Sequence, residues 1–97
     1  MAKINVRIPA PLQKLARGEE QISASGEKVR DVLENMEANY PGIKSKLVAD
    51  DGSMRRFVNI YLNEEDIRFL EKLDTRVKEG DTISIIPAIA GGGAFGK

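Results

Sequence analysis

The stretch Arg-Phe-Val-Asn-Ile-Tyr-Leu at positions 56–62 has the strongest strand pattern in the chain. Successive side chains in a strand point to opposite faces, so the apolar residues Val58, Ile60 and Leu62 share one face. A face of this kind has to be buried against another layer. The stretch therefore predicts a sheet that is covered on one side.

Three further stretches complete the predicted sheet. Residues 3–8 alternate in the same way, 20–24 form a short strand that pairs back on them as a hairpin, and 82–87 form the last strand. Between the later strands, Asn63-Glu64-Glu65-Asp66 is predicted as a polar turn, residues 67–69 as a minor strand and residues 70–73 as a helical turn.

One helix is predicted between the second and third strands. Ser25 is placed at its N-cap, because a serine hydroxyl can accept from the free amides of the first turn. Apolar residues then recur at helical spacing, and Pro41-Gly42 stops the helix after about 13 residues. The members of this stripe are Val29, Val32, Leu33, Met36 and Tyr40.

The order of these elements favours an α+β fold of the β-grasp (ubiquitin-like) type. We expect a mixed four- to five-stranded sheet with one main helix across one face, and with the first and last strands adjacent in the centre. Residues 1–87 are predicted to form the β-grasp domain, and residues 88–97 a flexible glycine-rich tail.

Composition excludes several classes of chemistry. The chain has 97 residues, with 15 Lys+Arg, 15 Asp+Glu and no histidine, cysteine or tryptophan. Thiolate nucleophiles, imidazole bases and the usual zinc or iron–sulfur ligands are therefore missing. A net charge of zero argues against nucleic-acid binding, and no segment resembles a signal peptide or a membrane span. We expect a cytoplasmic protein that binds neither nucleic acid nor membrane and holds no metal.

The glycine run at residues 91–93 is the least usual feature of the sequence. Glycine buries no side chain and loses the most backbone entropy on ordering, so packing does not explain three in succession. A backbone without Cβ atoms can, however, enter a narrow channel in another protein. The run directly follows the last strand, which predicts that the tail itself is a substrate.

These features together resemble the ubiquitin-like sulfur carriers of the MoaD/ThiS family, and among them the carriers of cysteine biosynthesis. The likeness covers nearly the whole chain. It rests on residues 33–43, on residues 56–69, and on residues 80–92 with their Gly91-Gly92 end.

The resemblance implies a carrier rather than an enzyme, with no catalytic residue and no bound cofactor. Its terminal glycine would be adenylated with ATP by a ubiquitin-activating-type enzyme and converted to a thiocarboxylate. A pyridoxal-phosphate-dependent sulfur amino acid synthase would then use the sulfur. The site residues carried over are Gly92 and Gly91.

The sequence departs from this pattern because residues 93–97 follow Gly92. Those residues place the required carboxylate in a peptide bond. The resemblance implies that a JAMM-type zinc metalloprotease removes them. A cut after Gly92 is favoured, although a cut after Gly93 would also leave a Gly-Gly end.

A docking face is predicted on the side of the sheet away from the helix. Alternation places Phe57, Tyr61 and Ile86 there, on strands that are expected to be neighbours. An apolar patch beside the tail would suit an activating enzyme. The alternative is that loops around Leu12, Leu15 or Leu70 partly cover these side chains.

Other functions remain open at this point. The processed glycine could be conjugated to lysines, as in a protein modifier, or the sulfur could go to molybdopterin, thiamin or tRNA. A non-covalent interaction module would make the tail dispensable. An enzyme based on the carboxylates of residues 64–66 is disfavoured, because a polar turn of this kind is usually only solvated.

Overall fold

The computed structural model describes residues 2–56 and 58–87. Its regular elements are the strands β1 (Ala2–Arg7), β2 (Gln21–Gly26), β3 (Val58–Leu62), β4 (Glu65–Asp66) and β5 (Thr82–Pro87), and the helix α1 (Val29–Asn39). Short 3₁₀ helices occupy Ala10–Ala16, Lys44–Lys46, Ile67–Phe69 and Lys72–Asp74. None of the described helices is long and apolar enough to cross a membrane.

The five strands form one mixed sheet in the order β2-β1-β5-β3-β4. β1 and β5 are parallel, and the other neighbours are antiparallel. The first and last long strands are therefore adjacent in the centre, as predicted. The segment at 82–87 is a strand over the predicted residues.

The core lies between the sheet and α1. Four members of the predicted helical stripe are fully buried, and Tyr40 packs at the edge of the core. They meet the inward residues of the three long central strands, which include Ile4, Val6, Ile60 and Ile83, each 1% exposed or less. Burial of these alternating residues accounts for the strand patterns in the sequence.

The predicted helix start is wrong. Ser25 lies within β2, where Lys3 is its partner on β1, and the helix N-cap is Lys28. The Asp31 carboxylate accepts from the Lys28 backbone N–H at 3.2 Å and so closes the first turn. Pairing with β1 extends β2 to Gly26, and α1 is accordingly 11 residues long.

The segment between β3 and β5 also differs from the prediction. The minor strand is β4, at residues predicted to form a polar turn, whereas Ile67–Phe69 is a 3₁₀ helix. Asp66 caps that helix, because its carboxylate accepts from the Arg68 N–H at 2.9 Å, and Ile67 is completely buried. The next helical turn lies at Lys72–Asp74, slightly later than predicted.

Candidate functional site

The end of β5 is the place where the fold meets the candidate functional tail. On one side of β5, pairing with β1 stops at Arg7 opposite Ser84. On the other side, pairing with β3 continues to the last residue, where Val58 lies opposite Pro87. The final residues of β5 therefore have β3 as their strand neighbour.

The four residues that pair at this end, Val58, Asn59, Ile86 and Pro87, are called the tail root below. Val58 pairs with Pro87, and Asn59 with Ile86. The predicted site residues Gly91, Gly92 and Gly93 follow in the sequence, but they lie outside the described residues. The predicted flexible tail at 88–97 lies outside them as well.

The predicted docking residues can be placed in part. Ile86 is 44% exposed and Tyr61 is half-buried, while Phe57 lies outside the described residues. Both described side chains belong to the face of the sheet opposite α1, here called the outer face. Tyr61 pairs with Ser84, so Tyr61 and Ile86 are diagonal neighbours on adjacent strands.

Two of the three loop residues that could have covered this patch pack against the core instead. Leu12 and Leu15 are partly buried against the core, and Leu15 lies beside Gly42, which follows the C-terminal end of α1. Leu70 is 37% exposed. Ile86 thus keeps nearly half of its surface accessible.

A shallow groove of about 280 Å³ runs beside Ile86. Its lining comes from the ends of two adjacent strands and the turn after β1: Arg7, Ile8, Pro9, Ser84, Ile85 and Ile86. The exposed Arg7 adds a positive charge to an otherwise apolar and hydroxyl-bearing surface. The outer face can therefore offer a partner apolar contact with one cationic flank.

Arg68 is a residue at this site that sequence reasoning missed. Its guanidinium donates to the Asn59 side-chain oxygen and, at 2.7 Å, to the Val58 carbonyl. The same side chain approaches the Arg55 carbonyl at 3.4 Å. No sequence motif marks this contact, because it depends on how the chain returns after β4.

Two carboxyl groups have a lowered pKa. Glu37 lies near the C-terminal end of α1, and Asp51 lies in the connection between α1 and β3. Backbone N–H groups of Gly42 and Lys44 donate to Glu37 and lower its pKa below the ordinary value of 4.5. The Ser53 hydroxyl and amide lower the pKa of Asp51 below 3.8. Both carboxylates stabilise turns by accepting these bonds.

Metal chemistry has no evident site in the part of the chain that the structure describes. No cluster of three or more acidic, histidine or cysteine side chains that could hold an ion is found there. Asp66, one of the carboxylates considered for catalysis, is engaged as the cap of the following helix.

Comparison with known proteins identifies relatives over most of the chain. A model of the ThiS family matches residues 6–92. The sulfur carrier protein CysO of Mycobacterium tuberculosis is 43% identical over 91 residues, which cover 92% of this chain and 98% of that protein.

Solved structures agree with this assignment. The CysO complex with BexX from Amycolatopsis orientalis matches with a TM-score of 0.86 and 40% identity, over 92% of this chain and 99% of the matched one. The solution structure of small archaeal modifier protein 1 from Methanosarcina acetivorans matches with a TM-score of 0.81 and 35% identity, over 95% and 98%. The resemblance inferred from the sequence is confirmed, and the chain belongs to the ThiS family.

Proposed function

We propose that this chain is a sulfur carrier whose C-terminal glycine, exposed by proteolysis, is adenylated and converted to a thiocarboxylate. The observation that carries the proposal is the position of the family match. It ends at Gly92, five residues beyond Pro87, where the central strand β5 ends. The likeness to CysO, a sulfur carrier, supports the same role for this chain.

The proposed chemistry uses only the backbone of the carrier. The Gly92 carboxylate attacks the α-phosphate of ATP, which forms an acyl-adenylate and releases pyrophosphate. Sulfide, or the sulfur of a persulfide followed by reduction with a thiol, then attacks the acyl carbon and displaces AMP. The product is a thiocarboxylate, whose sulfur is a good nucleophile toward an activated amino acid intermediate on a partner enzyme.

Every catalytic group in this scheme belongs to a partner, so the chain is a co-substrate. This fits a sequence without cysteine or histidine. We propose cysteine or a related sulfur amino acid as the final product, because the matched carrier is CysO. The partners would be an adenylating enzyme and a pyridoxal-phosphate-dependent synthase.

A processing step must come first. The carboxyl group of Gly92 is bonded to the nitrogen of Gly93, and five residues follow. Hydrolysis of that peptide bond by a JAMM-type zinc metalloprotease would release residues 93–97 and leave the carboxylate free. Cleavage one residue later, after Gly93, is the alternative product.

The processing step is tested by intact mass spectrometry after incubation with the candidate peptidase. The expected species ends at Gly92, and adding the adenylating enzyme, ATP and sulfide then gives the mass increase for replacing one oxygen by sulfur. Gly92→Val should block both steps. The matched control Gly96→Val, within the discarded segment, should be processed normally. Adenylation of the full-length chain would contradict the processing step.

A protein modifier is the second candidate function. It is favoured by the 35% identity to small archaeal modifier protein 1 over 95% of this chain. Both functions need the same activated glycine and differ in what attacks it. Peptide mapping of lysates would reveal a Gly92–lysine isopeptide in a modifier, whereas a carrier yields the thiocarboxylate alone.

A further inference from the structure

In the part of the chain that the structure describes, no strand pairs with the first half of β3 on its outer edge, which is the edge that faces away from β5. β4 has only two residues, and they pair with Tyr61 and Leu62 at the far end of β3. Among the described strands, Val58 and Asn59 therefore have β5 as a neighbour on one side and none on the other. Unpaired strand edges of this kind are usually covered by another group.

Arg68 occupies this edge. One guanidinium nitrogen donates to the Val58 carbonyl at 2.7 Å, and the other terminal nitrogen donates to the Asn59 side chain. A planar guanidinium can hold two acceptors in a fixed relative position, which a lysine ammonium does less well. The side chain thus replaces the missing strand at the tail root.

The base of Arg68 is itself fixed. Its backbone N–H is held by the Asp66 carboxylate at 2.9 Å, and the preceding residue Ile67 is completely buried. The guanidinium therefore extends from a short 3₁₀ helix that is capped by Asp66 and anchored by the buried Ile67. A side chain held at both ends can restrain the strand that it contacts.

We infer that Arg68 is a positioning residue for the C-terminal tail. It fixes Val58 and Asn59, and these residues fix Pro87 and Ile86 through the β3–β5 pairing. The direction in which the chain leaves β5 then depends on Arg68. This inference rests on the proposed function, because a defined tail direction matters to an enzyme that must receive the terminal glycine.

Amide hydrogen exchange tests the restraint in the full-length chain without any partner. Arg68→Ala should speed exchange of the Asn59 and Ile86 amides by about tenfold or more, because the variant removes two hydrogen bonds from a charged donor. Exchange in β1 and β2 should change much less. Arg68→Lys should give an intermediate rate, since one ammonium cannot match both acceptors.

Two control variants separate local from general effects. Arg30→Ala removes an arginine from an exposed ion pair with Asp74 and should leave the tail-root amides unchanged. Ile22→Ala removes a buried side chain from β2, at the opposite edge of the sheet, and should lower global stability. This variant should not cause the local opening that speeds amide exchange at the tail root. Equal exchange rates at Asn59 and Ile86 in Arg68→Ala and in the wild type would overturn the inference.

The adenylation assay then relates the restraint to function. With processed carrier and its adenylating enzyme, Arg68→Ala should raise KM about fivefold or more while kcat changes little, as expected for a lost positioning effect. A raised KM with unchanged exchange rates would mean that Arg68 contacts the partner directly, which also overturns the inference. Failure of wild-type carrier to be adenylated would instead refute the proposed function, and the exchange result would still stand.

Discussion

Truncation of Ile86 should weaken docking to the adenylating enzyme without unfolding the carrier. Fully burying an isoleucine side chain contributes about 1.5–3 kcal/mol. Because 44% of Ile86 is still exposed, covering the remainder in a complex would contribute about 0.7–1.3 kcal/mol. Ile86→Ala should therefore raise the dissociation constant by about three- to ninefold.

Isothermal titration calorimetry with the processed carrier measures this change, and urea denaturation checks that the variant remains folded. Leu70→Ala is the matched control, because Leu70 is 37% exposed but lies outside the strands of the outer face. Equal losses for both variants, or no loss for Ile86→Ala, would refute the docking face. Ile86→Asp should be more severe, because a partner would then have to bury a carboxylate.

Three further predictions concern the outer face and the scaffold. Tyr61→Ala should weaken docking by a similar factor and leave the urea midpoint nearly unchanged; a large fall in that midpoint would make Tyr61 a core residue. Glu37→Gln should be less stable than wild type at neutral pH, and the difference should shrink in acid. The pKa of Glu37 is lowered below 4.5 by the amides of Gly42 and Lys44, so its contribution is present above that value and is lost as the pH falls through the lowered pKa; a constant difference from pH 7 to pH 3 would contradict this. Gly26→Ala should cost about 1–3 kcal/mol in the free energy of unfolding, because an added Cβ would lie 2.7 Å from the backbone nitrogen at position 32; wild-type stability would show that α1 can shift away from β2.

The fold could be predicted from the sequence because its strands are buried on one face. Alternation identified three long strands and the side on which each is buried, and the helical stripe identified the covering layer. The start of α1 could not be predicted in the same way. Serine is a residue type that favours the N-cap position, but in the structure the backbone of Ser25 pairs with Lys3 and extends β2. The sequence alone does not show which of these two arrangements is more stable.

The positions of the residues at the candidate site could be predicted from the sequence only in part. Alternation placed Tyr61 and Ile86 on the outer face, and the structure agrees, since the preceding residues Ile60 and Ile85 are buried on the other face. Arg68 was missed because its role depends on β4 being two residues long. A polar run such as residues 63–66 gives no periodic signal from which the length of a strand could be read.

One proline, Pro9, and one arginine, Arg68, together determine what supports the tail root. Pro9 has no N–H to donate, so the parallel ladder between β1 and β5 cannot continue past Arg7 and Ser84. The last residues of β5 then depend on β3, and the outer edge of β3 depends in turn on Arg68. Among the described residues, the Arg68 side chain and the Arg55 carbonyl, which accepts from the Val58 N–H at 3.3 Å, hold the outer edge of β3. Loosening the Arg68 contact should therefore affect presentation of the tail before it affects the core. We accordingly expect exchange at Ile86 to be a more sensitive measure of this contact than the free energy of unfolding.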